Sequence, residues 1–554
     1  LELTDELGLA RGASIETILQ AGWSVWGDAL PDHLRGAFAF ALFCPESGSI
    51  YGARDIFGLC PFYYSYAAGQ LVIASTSRAV RSLLPVKATQ NEQMLADFVN
   101  GVSLEKEQTF FEEIVRLPPA HLISFDGSKA SARTYWAMGS VARDRSPPDA
   151  AEKFRSLFDR AVQNCISDSR PALLISGGLD SSSIASSMHT LEPQTRRDAA
   201  AMTFPETPNW SDKLYLEDIC RSAELETLEV PSEAHNPLDD MSTWLTAMDG
   251  PYLPHGHSIS FRLIPMLEQR GFDVILSGHG GDEIVSYGFG RLNELAMNGH
   301  WIQFWRESSA AAYLYNDGPG SRRRYLRRFS SHFLLVRIWR WLRSKLRPTS
   351  SLAEPEPSRL SETLARKFDA ARYKTKVAAT RRDHDERMLQ EEVMSLPLQP
   401  QSLEVFAVCA KASGVQVRFP FYDRELFELC LSLSSDWKLR DGLSRYVLRA
   451  AMGEDLPNSI RTRVDKYDFG THFIDGLISA RDTVLELTDP AKEAFGHFLN
   501  LGMLQTVRDK FAKGQTRLGH LEATYLWRVA ILGMWLDIAD APINKPKLHS
   551  LVRG

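Results

Sequence analysis

The stretch LLISGGLDSSSIAS at residues 173–186 decides how this chain of 554 residues folds. It joins a short apolar run, typical of a buried strand, to two glycines and a polar run that opens a helix. In a strand–turn–helix unit of this kind, the backbone N–H groups of the turn face an anion at the positive end of the helix. The stretch therefore predicts a phosphate-binding loop. An ordinary glycine-rich turn is the alternative.

Asp180 lies inside this predicted loop and limits how a phosphate can bind there. The lysine of a Walker loop is absent, so the GxxxxGK[ST] design does not apply. A carboxylate repels a bare phosphate, and an aspartate in this place is understandable only with a metal ion between the two groups. Because Mg²⁺ takes oxygen ligands and bridges carboxylate to phosphate, we expect Mg²⁺ here.

A second stretch, VILSGHGGDEIVSYG at residues 274–288, has the same design. An apolar strand leads to Ser277 and Gly278, and Asp282 follows two further glycines. Loops at the carboxyl ends of parallel strands lie along one edge of a sheet, where ligands bind. The two loops together predict one Mg²⁺ held by Asp180 and Asp282 on the phosphates of a nucleotide. The alternative is that the two similar loops have only a structural role.

The residues around these loops alternate between strand and helix patterns from about residue 150 onward. Apolar runs such as PALLI, AAMTF, TLEVP and FDVILS are separated by amphipathic stretches such as AAEKFRSLFDRAVQNCI. Alternation of this kind indicates an α/β domain with a parallel sheet. Beyond residue 290 nearly every pattern predicts helix. We therefore assign residues 150–554 to one domain with a helical insertion at about 290–400.

Residues 1–136 differ in character, because short strands dominate. The segments GAFAFALFCPESGSIYGARD, PFYYSYAAGQLVIAS and HLISFDGSKASARTYW each hold two apolar runs around a turn, which predicts hairpins. Helices are expected at 14–27 and 90–100. The stretch 137–149, which contains Pro and Gly, predicts a linker. The chain begins at Leu1 without a signal-peptide pattern, and we expect it to start inside a domain.

Composition argues against several classes of protein. Apolar content of 44% and charged content of 24% are ordinary for a globular protein. A net charge of −6 argues against general nucleic-acid binding. No apolar run approaches the roughly 20 residues that cross a bilayer. The six cysteines are scattered without metal-like spacing, which suits a reducing cytoplasm.

The two loops, with VQVRFPFYDRELFEL at 415–429, resemble the synthetase domain of the asparagine synthetase B family. That family includes asparagine synthetases, β-lactam synthetases and lasso-peptide cyclases. The segment LRGAFAFALF…GARDIFGLCPFYYSY resembles the later part of its glutaminase-like domain, and the resemblance covers most of the chain outside about 290–400. It implies an N-terminal Ntn-type α+β domain and a domain like those of N-type ATP pyrophosphatases, which split ATP to AMP and pyrophosphate. We expect the first domain to be inactive as a glutaminase, because no N-terminal cysteine is seen.

The resemblance also implies roles for individual residues. The loop that binds pyrophosphate comprises Ser176, Gly177, Gly178, Asp180 and Ser181. Asp180 and Asp282 bind Mg²⁺. Ser277 and Gly278 contact the nucleotide, and Thr203, at the end of the strand AAMT, lies near the adenine.

Two further steps of the chemistry need side chains. Lys466 in RVDKYDFG matches the family lysine that offsets charge on the departing phosphates; a solvated surface lysine is the alternative. An attacking amine is largely protonated at neutral pH, so a base is useful. His279 stands where asparagine synthetases have Glu, and an imidazole accepts a proton at neutral pH. Glu283 is the next candidate, and an orienting role for His279 is the alternative.

Two departures from asparagine synthetases guide the choice of substrate. Those enzymes hold free aspartate with a Thr-Thr-x-Arg segment, which falls here on Tyr252-Leu253-Pro254-His255 and lacks arginine. The aromatic and imidazole groups of PYLPHGHS suit a peptide, and a loop that closes the following helix is equally favoured. The N-terminal cysteine of a glutaminase is not seen, which predicts that the amine comes from the substrate.

Within the insertion, SRRRYLRRFSSHFLLVRIWRWLRSKLR at 321–347 has ten basic residues and no acidic one. Its interleaved aromatic residues predict a basic amphipathic helix that contacts an acidic partner, a peptide or the periphery of a membrane. The alternative is an internal helix whose arginines pair with acidic residues elsewhere.

We therefore predict a lasso-peptide cyclase. Such a ligase uses ATP and Mg²⁺ to adenylate an Asp or Glu side chain of a precursor peptide and closes a ring with the N-terminal amine of that peptide. Expected partners are the precursor peptide and a leader peptidase or leader-binding protein, with no nucleic acid and no transmembrane segment. The alternatives are a glutamine-hydrolysing asparagine synthetase, a β-lactam synthetase and an inactive scaffold on the same fold.

Overall fold

The computed structural model of the protein describes residues 2–10, 12–143, 147–167, 169–207, 210, 212–232, 235–315, 358–368, 385–465, 470–514 and 518–541. The predicted basic helix at 321–347 and the predicted site residue Lys466 lie outside these residues.

The N-terminal part contains two antiparallel sheets, as the hairpin patterns predict. The strands are β1 (Ala39–Cys44), β2 (Ser49–Arg54), β3 (Tyr63–Ala67), β4 (Gln70–Ala74), β5 (Val115–Arg116), β6 (His121–Phe125) and β7 (Ala130–Thr134). One sheet has the order β1-β2-β6-β7 and the other β4-β3-β5. The turn between β3 and β4 has φ angles of 49° at Ala68 and 77° at Gly69, the pair of positive angles that a tight type I′ hairpin requires. The three predicted hairpins are confirmed.

Short helices complete this part of the chain. They are α1 (Glu2–Glu6), α2 (Ile15–Trp26), α3 (Leu30–His33), α4 (Ser77–Leu83) and α5 (Glu92–Asn100). The side chain of Asn91 caps α5 by accepting from the N–H groups of Gln93 and Met94, and Gly101 ends it in the left-handed conformation. The helices predicted at 14–27 and 90–100 are confirmed.

The C-terminal part is built on a five-stranded sheet. Its strands are β8 (Ala172–Leu174), β9 (Arg197–Thr203), β10 (Leu225–Pro231), β11 (Val274–Ser277) and β12 (Gln416–Arg418). The order is β10-β9-β8-β11-β12, and every pairing is parallel. Ala172, Leu173, Ile275 and Leu276 are wholly buried, as expected for central strands of a parallel sheet covered on both faces.

This strand order creates a switch point between β8 and β11. The chain runs from β8 outward to β9 and β10, and then returns to the other side of β8 to form β11. The helix α6 (Ala150–Ile166) precedes β8, and the crossover helices are α7 (Leu179–Leu191), α8 (Asp212–Ser222), α9 (Met241–Met248) and α10 (His257–Glu268). Ligands of open α/β sheets bind where the strand order reverses. The two glycine-rich loops follow β8 and β11 and therefore meet at this point.

The prediction of helix nearly everywhere beyond residue 290 is wrong at two places. Gln416–Arg418 forms β12, which pairs with β11 from Gln416 opposite Val274 to Arg418 opposite Leu276. A small hairpin, β13 (Leu439–Arg440) with β14 (Leu443–Ser444), is also present. Strands of two or three residues are too short to show an alternating pattern, and pairing with distant residues determines them.

The remaining described segments of the C-terminal part are mainly helical. The helices are α11 (Gly281–Val285), α12 (Gly290–Met297), α13 (Trp301–Leu314), α14 (Glu362–Lys367), α15 (Glu386–Ser395), α16 (Leu398–Ala412), α17 (Arg424–Ser432), α18 (Tyr446–Met452), α19 (Asn458–Arg461), α20 (Gly470–Ser479), α21 (Arg481–Leu487), α22 (Glu493–Phe498), α23 (Leu501–Lys513) and α24 (His520–Asp540). Among the residues described, no helix has the length and apolar character to span a membrane.

A buried ionic cluster joins the two parts. Arg54 donates to Glu404 at 2.6 Å, Arg116 donates to the other oxygen at 2.7 Å, and the hydroxyl of Tyr63 donates at 3.0 Å. The side chains of Arg54 and Glu404 are completely buried. Removing one partner of such a cluster leaves an uncompensated charge, which costs about 3–5 kcal/mol. The cluster therefore fixes the N-terminal part to α16.

Candidate active site

The first loop joins β8 to α7 through a turn that only glycine fits. Gly177 has φ +69°, and a Cβ there would lie 2.6 Å from the backbone nitrogen of Leu216. The backbone N–H of Gly178 donates to the hydroxyl of Ser176 at 3.4 Å, and that of Ser176 donates to the hydroxyl of Ser181 at 3.3 Å. The predicted phosphate-loop residues are thus brought together at the N-terminus of α7.

A buried arginine supports this loop from the side. Arg463 donates to the carbonyl oxygen of Gly177 at 3.1 Å and pairs with Asp212, and its guanidinium lies 4.0 Å from the ring centre of Tyr215. These contacts tie the segment that precedes Lys466 to the phosphate loop. Lys466 itself lies outside the described residues, so its role stays a prediction.

The second loop packs directly on the first because of its glycines. A Cβ at Gly278 would lie 2.9 Å from the backbone nitrogen of Ser181, and one at Gly281 would collide with the carboxylate of Asp180. Gly280 has φ +100°, and a Cβ there would lie 2.5 Å from the ring of Tyr422. The SGHGGDE sequence therefore allows a backbone approach that larger residues would prevent.

Asp180 and Asp282 meet around one arginine. Nη1 of Arg445 donates to both carboxylate oxygens of Asp180, at 2.7 and 2.8 Å, and to Oδ1 of Asp282 at 2.6 Å. The two aspartate side chains are each 19% exposed and Arg445 is 13% exposed. Two carboxylates from facing loops thus share the guanidinium of Arg445 at the edge of the sheet.

The two aspartate charges raise the pKa values of Arg445 and of the neighbouring Tyr287. Burial alone would lower the pKa of Arg445, but the charges of Asp180 and Asp282 raise it above its usual value. Burial raises the pKa of Tyr287, and the charge of Asp282 raises it further. Arg445 therefore stays charged and Tyr287 stays protonated at neutral pH.

The donor set fits a divalent cation. Two carboxylates already enclose a cationic group, and oxygen ligands are those that Mg²⁺ prefers. Within the described ranges, no cluster of three or more His, Cys, Asp or Glu side chains could hold a metal by protein ligands alone. A site of two aspartates suits an ion that keeps several waters and shares phosphate oxygens.

The predicted nucleotide contacts lie on the same edge of the sheet. Ser277, the last residue of β11, is 8% exposed, and its hydroxyl accepts from the N–H of His279 at 3.3 Å. Thr203, the last residue of β9, is 3% exposed, and its carbonyl oxygen accepts from the N–H of Ser232 at 2.9 Å. Both residues stand at carboxyl strand ends beside β8, as the sequence predicts.

His279 faces an aromatic set behind the loop. Its ring lies 6.2 Å, centre to centre, from the rings of His257, Phe419 and Tyr422. Its Nε2 is buried and has no hydrogen-bond partner within the part of the chain that the structure describes. Burial, with the charges of His279 and His255, lowers the pKa of His257 to about 3, so that His257 stays neutral at neutral pH.

Glu283 follows Asp282 in α11 and lies near the same aromatic set. Burial raises the pKa of Tyr422, and the charge of Glu283 raises it further. The backbone carbonyl of Glu283 accepts from the side chain of Gln390 at 3.4 Å. Glu283 and His279 therefore both lie near Tyr422.

The segment PYLPHGHS packs inward. Tyr252 is 4% exposed, and its ring lies 5.6 Å from that of Trp527. The ring of His255 lies 4.4 Å from Phe473, and Nε2 of His257 lies 2.7 Å from the hydroxyl of Ser402. This segment carries no arginine, as its sequence shows.

The arginines of the site were not predicted from the sequence. Arg445 is 163 positions beyond Asp282, and Arg463 is 286 positions beyond Gly177. Arg449 donates to the carbonyl oxygens of Ser444 at 2.8 Å and Arg461 at 2.5 Å, and so supports the turn that carries Arg445. The sequence signal for Arg445 is its position just before a predicted helix, in GLSRYVLRAA.

These features define a chain with a glutamine amidotransferase domain followed by a synthetase domain on a parallel sheet. The family description for asparagine synthase matches residues 153–537, and that for the glutamine amidotransferase domain matches residues 3–136. The first match covers more than half of the chain. The chain therefore belongs to the asparagine synthase family, and the predicted fold class is confirmed.

Three curated proteins illustrate the similarity. Asparagine synthetase [glutamine-hydrolyzing] 3 of Bacillus subtilis is 31% identical over 182 residues, which are 32% of this chain and 30% of that protein. Amidase chyE of Penicillium rubens is 25% identical over 292 residues, 49% of this chain and 43% of that protein. Putative asparagine synthetase [glutamine-hydrolyzing] 2 of Methanocaldococcus jannaschii is 22% identical over 308 residues, 54% and 58% respectively. The chain spans less than two thirds of the length of each of these relatives.

Proposed function

We propose that this chain is an AMP-forming ligase that activates a carboxylate with ATP and joins it to an amine. The observation that carries the proposal is the meeting of Asp180 and Asp282, on two facing glycine-rich loops, around the guanidinium of Arg445. In this proposal residues 1–136 are a glutaminase-like domain, residues 150–554 are the synthetase domain, and about 290–400 is its helical insertion.

The chain's own groups are suited to the first step. The N–H groups of the loop 176–181, at the N-terminus of α7, bind the departing pyrophosphate. Asp180 and Asp282 hold Mg²⁺, which when bound offsets the negative charge of the phosphates and of the attacking carboxylate. Ser277 and Gly278 contact the nucleotide, and Lys466 adds positive charge. These assignments combine the geometry of the loops with the family resemblance.

The second step needs an amine that has lost its proton. His279 stands on the second loop between Gly278 and Gly280, and we propose that it accepts this proton. Among the described residues, its buried Nε2 has no hydrogen-bond partner. Glu283, which also lies near Tyr422, is the next candidate.

The proposed substrate is a precursor peptide, closed into a ring between its N-terminal amine and an Asp or Glu side chain. The support is the missing arginine at Tyr252-Leu253-Pro254-His255, where asparagine synthetases hold free aspartate. A leader peptidase or leader-binding protein is the expected partner of such an enzyme. We place the reaction in the cytoplasm, where the six free cysteines stay reduced.

An asparagine synthetase is the second candidate. The match of residues 3–136 to the glutamine amidotransferase domain favours it, as do the names of the B. subtilis and M. jannaschii relatives. A β-lactam synthetase uses the same activation chemistry, and an inactive scaffold would retain the fold without turnover.

A substrate panel tests the choice between these candidates. Pyrophosphate release from ATP is measured with synthetic peptides that carry Asp or Glu at successive positions, and with free aspartate plus glutamine or ammonium. We expect release only with a peptide, in step with a product that has lost one water, and no stimulation by glutamine. Asparagine formed from free aspartate would reject the peptide proposal, and formation of ADP would reject the whole reaction class. The Asp180→Asn variant supplies the background.

A further inference from the structure

A single nitrogen atom fills the point where the two site aspartates converge. Nη1 of Arg445 contacts three carboxylate oxygens at 2.6 to 2.8 Å. A metal ion that bridged the same two carboxylates would bind their oxygens at about 2.1 Å. The ion and Nη1 would then compete for the same oxygens, so the guanidinium has to leave before the ion enters.

The charges at this point favour such an exchange. Asp180 and Asp282 carry two negative charges, and the guanidinium of Arg445 brings one positive charge to them. A divalent ion would balance both carboxylates. Without any cation, the two carboxylates would repel each other and the triphosphate. Arg445 thus reduces this repulsion while the metal is absent.

The side chain of Arg445 is held incompletely. Its Nε is buried and makes no hydrogen bond to any residue that the structure describes. Its guanidinium lies 5.4 Å from the ring centre of Tyr287, a side chain that is 42% exposed. The hydrogen bonds described for the guanidinium therefore run to the two aspartates.

The backbone at Arg445 is fixed, in contrast to its side chain. Arg449 donates to the carbonyl oxygen of Ser444 at 2.8 Å, and the N–H of Tyr446 donates to the carbonyl oxygen of Lys438 at 3.0 Å. Arg445 has φ +52°, which non-glycine residues adopt only where neighbouring contacts impose it. An exchange of cations therefore needs only a rotation of the side chain.

We propose that Arg445 is a placeholder cation: it occupies the metal position of the nucleotide-free protein, and Mg²⁺ enters only together with ATP. The displaced guanidinium then turns toward the triphosphate, whose negative charge replaces that of the aspartates. This inference rests on the proposed function insofar as Asp180 and Asp282 are the metal ligands. It adds an order of binding and a role for Arg445.

Mn²⁺ titration followed by electron paramagnetic resonance tests the proposal without any turnover. The nucleotide-free wild type, Arg445→Met and Arg445→Lys are compared with Arg440→Met, which removes a neighbouring arginine paired with Asp436. We expect Arg445→Met to gain one Mn²⁺ site with a Kd at least tenfold lower than that of the wild type. Arg445→Lys, which keeps the positive charge, and Arg440→Met should both match the wild type.

The outcomes separate this inference from the proposed function. Equal Mn²⁺ affinity in wild type and in folded Arg445→Met, whether weak or tight, would overturn the placeholder role. The double variant Asp180→Asn with Arg445→Met should lose the new Mn²⁺ site. If the double variant keeps it, the metal binds elsewhere, and the two-aspartate site of the proposed function is itself wrong.

Discussion

At the scale of single residues, the paired aspartates were predictable and the arginine between them was not. Asp180 and Asp282 each follow a buried strand and a glycine turn, and parallel strands bring their carboxyl ends to one edge. Arg445 comes from a hairpin and helix more than 160 positions later, and the packing of α18 on α6 helps to bring it to the site. No local pattern records such a contact.

Asp180→Asn and Asp282→Asn should each reduce turnover on the order of 10³-fold while the fold is retained. Each change removes one charged ligand of the proposed metal site, and a bound metal supplies several kcal/mol of charge stabilisation in the transition state. Turnover is measured as pyrophosphate release over a range of Mg²⁺ concentrations. Asp198→Asn, which removes a carboxylate paired with Arg170 on β9, is the control. Near wild-type turnover at low Mg²⁺ in either site variant would show that the aspartates do not bind the metal.

His279→Ala should slow amide formation by about 10²–10⁴-fold, the usual worth of a general base. Adenylation should suffer less, because the attacking carboxylate has no proton to lose in that step. Pyrophosphate–ATP exchange and ring closure are therefore measured in the same variant. A higher pH should partly rescue closure, since more of the amine is then neutral.

Packing around His279 provides a control for this prediction. His257→Gln changes the same aromatic set while leaving the loop sequence intact. If both variants lose exchange and closure equally, His279 serves the shape of the loop, and Glu283 becomes the candidate base. If a higher pH does not speed ring closure in His279→Ala, His279 is likewise not the base.

At the scale of elements, glycines determine how closely the two loops approach. The positions of Gly278 and Gly281 in the sequence predict a turn, but the sequence does not show what lies opposite them. The structure places Ser181 opposite Gly278 and Asp180 opposite Gly281. The strands β8 to β11 were predictable from their apolar runs. The strand β12 has only three residues and was not predictable, because it forms by pairing with β11.

Gly281→Ala should displace the carboxylate of Asp180, because a Cβ at this position collides with it. We expect a lower thermal midpoint, from about 1–3 kcal/mol of overpacking, together with loss of pyrophosphate release. Gly496→Ala is the matched control, since Gly496 lies within α22 and has open space around its Cβ position. Wild-type activity in Gly281→Ala would show that the close approach of the loops is not needed for catalysis.

At the scale of the whole molecule, the two parts of the chain form one buried interface. Glu404 of α16 lies between Arg54 and Arg116 of the N-terminal part, and Asp249 pairs with Arg81. A cavity of about 50 Å³ at this interface is lined by residues of both parts, among them Tyr63 and Tyr252. It includes neither glycine-rich loop. The sequence predicted two domains but gave no sign of these contacts, which join residues hundreds of positions apart.

The central claim is that the substrate carboxylate attacks the α-phosphate of ATP, and isotope transfer tests it most directly. A substrate that supports pyrophosphate release is labelled with ¹⁸O in its reacting carboxylate, and the products are analysed by mass spectrometry. An acyl-adenylate transfers one carboxylate oxygen to the phosphate of AMP when the amine displaces it. We therefore predict one ¹⁸O in AMP for each amide bond formed and none in pyrophosphate. ¹⁸O in orthophosphate with formation of ADP, or AMP without label, would contradict the account.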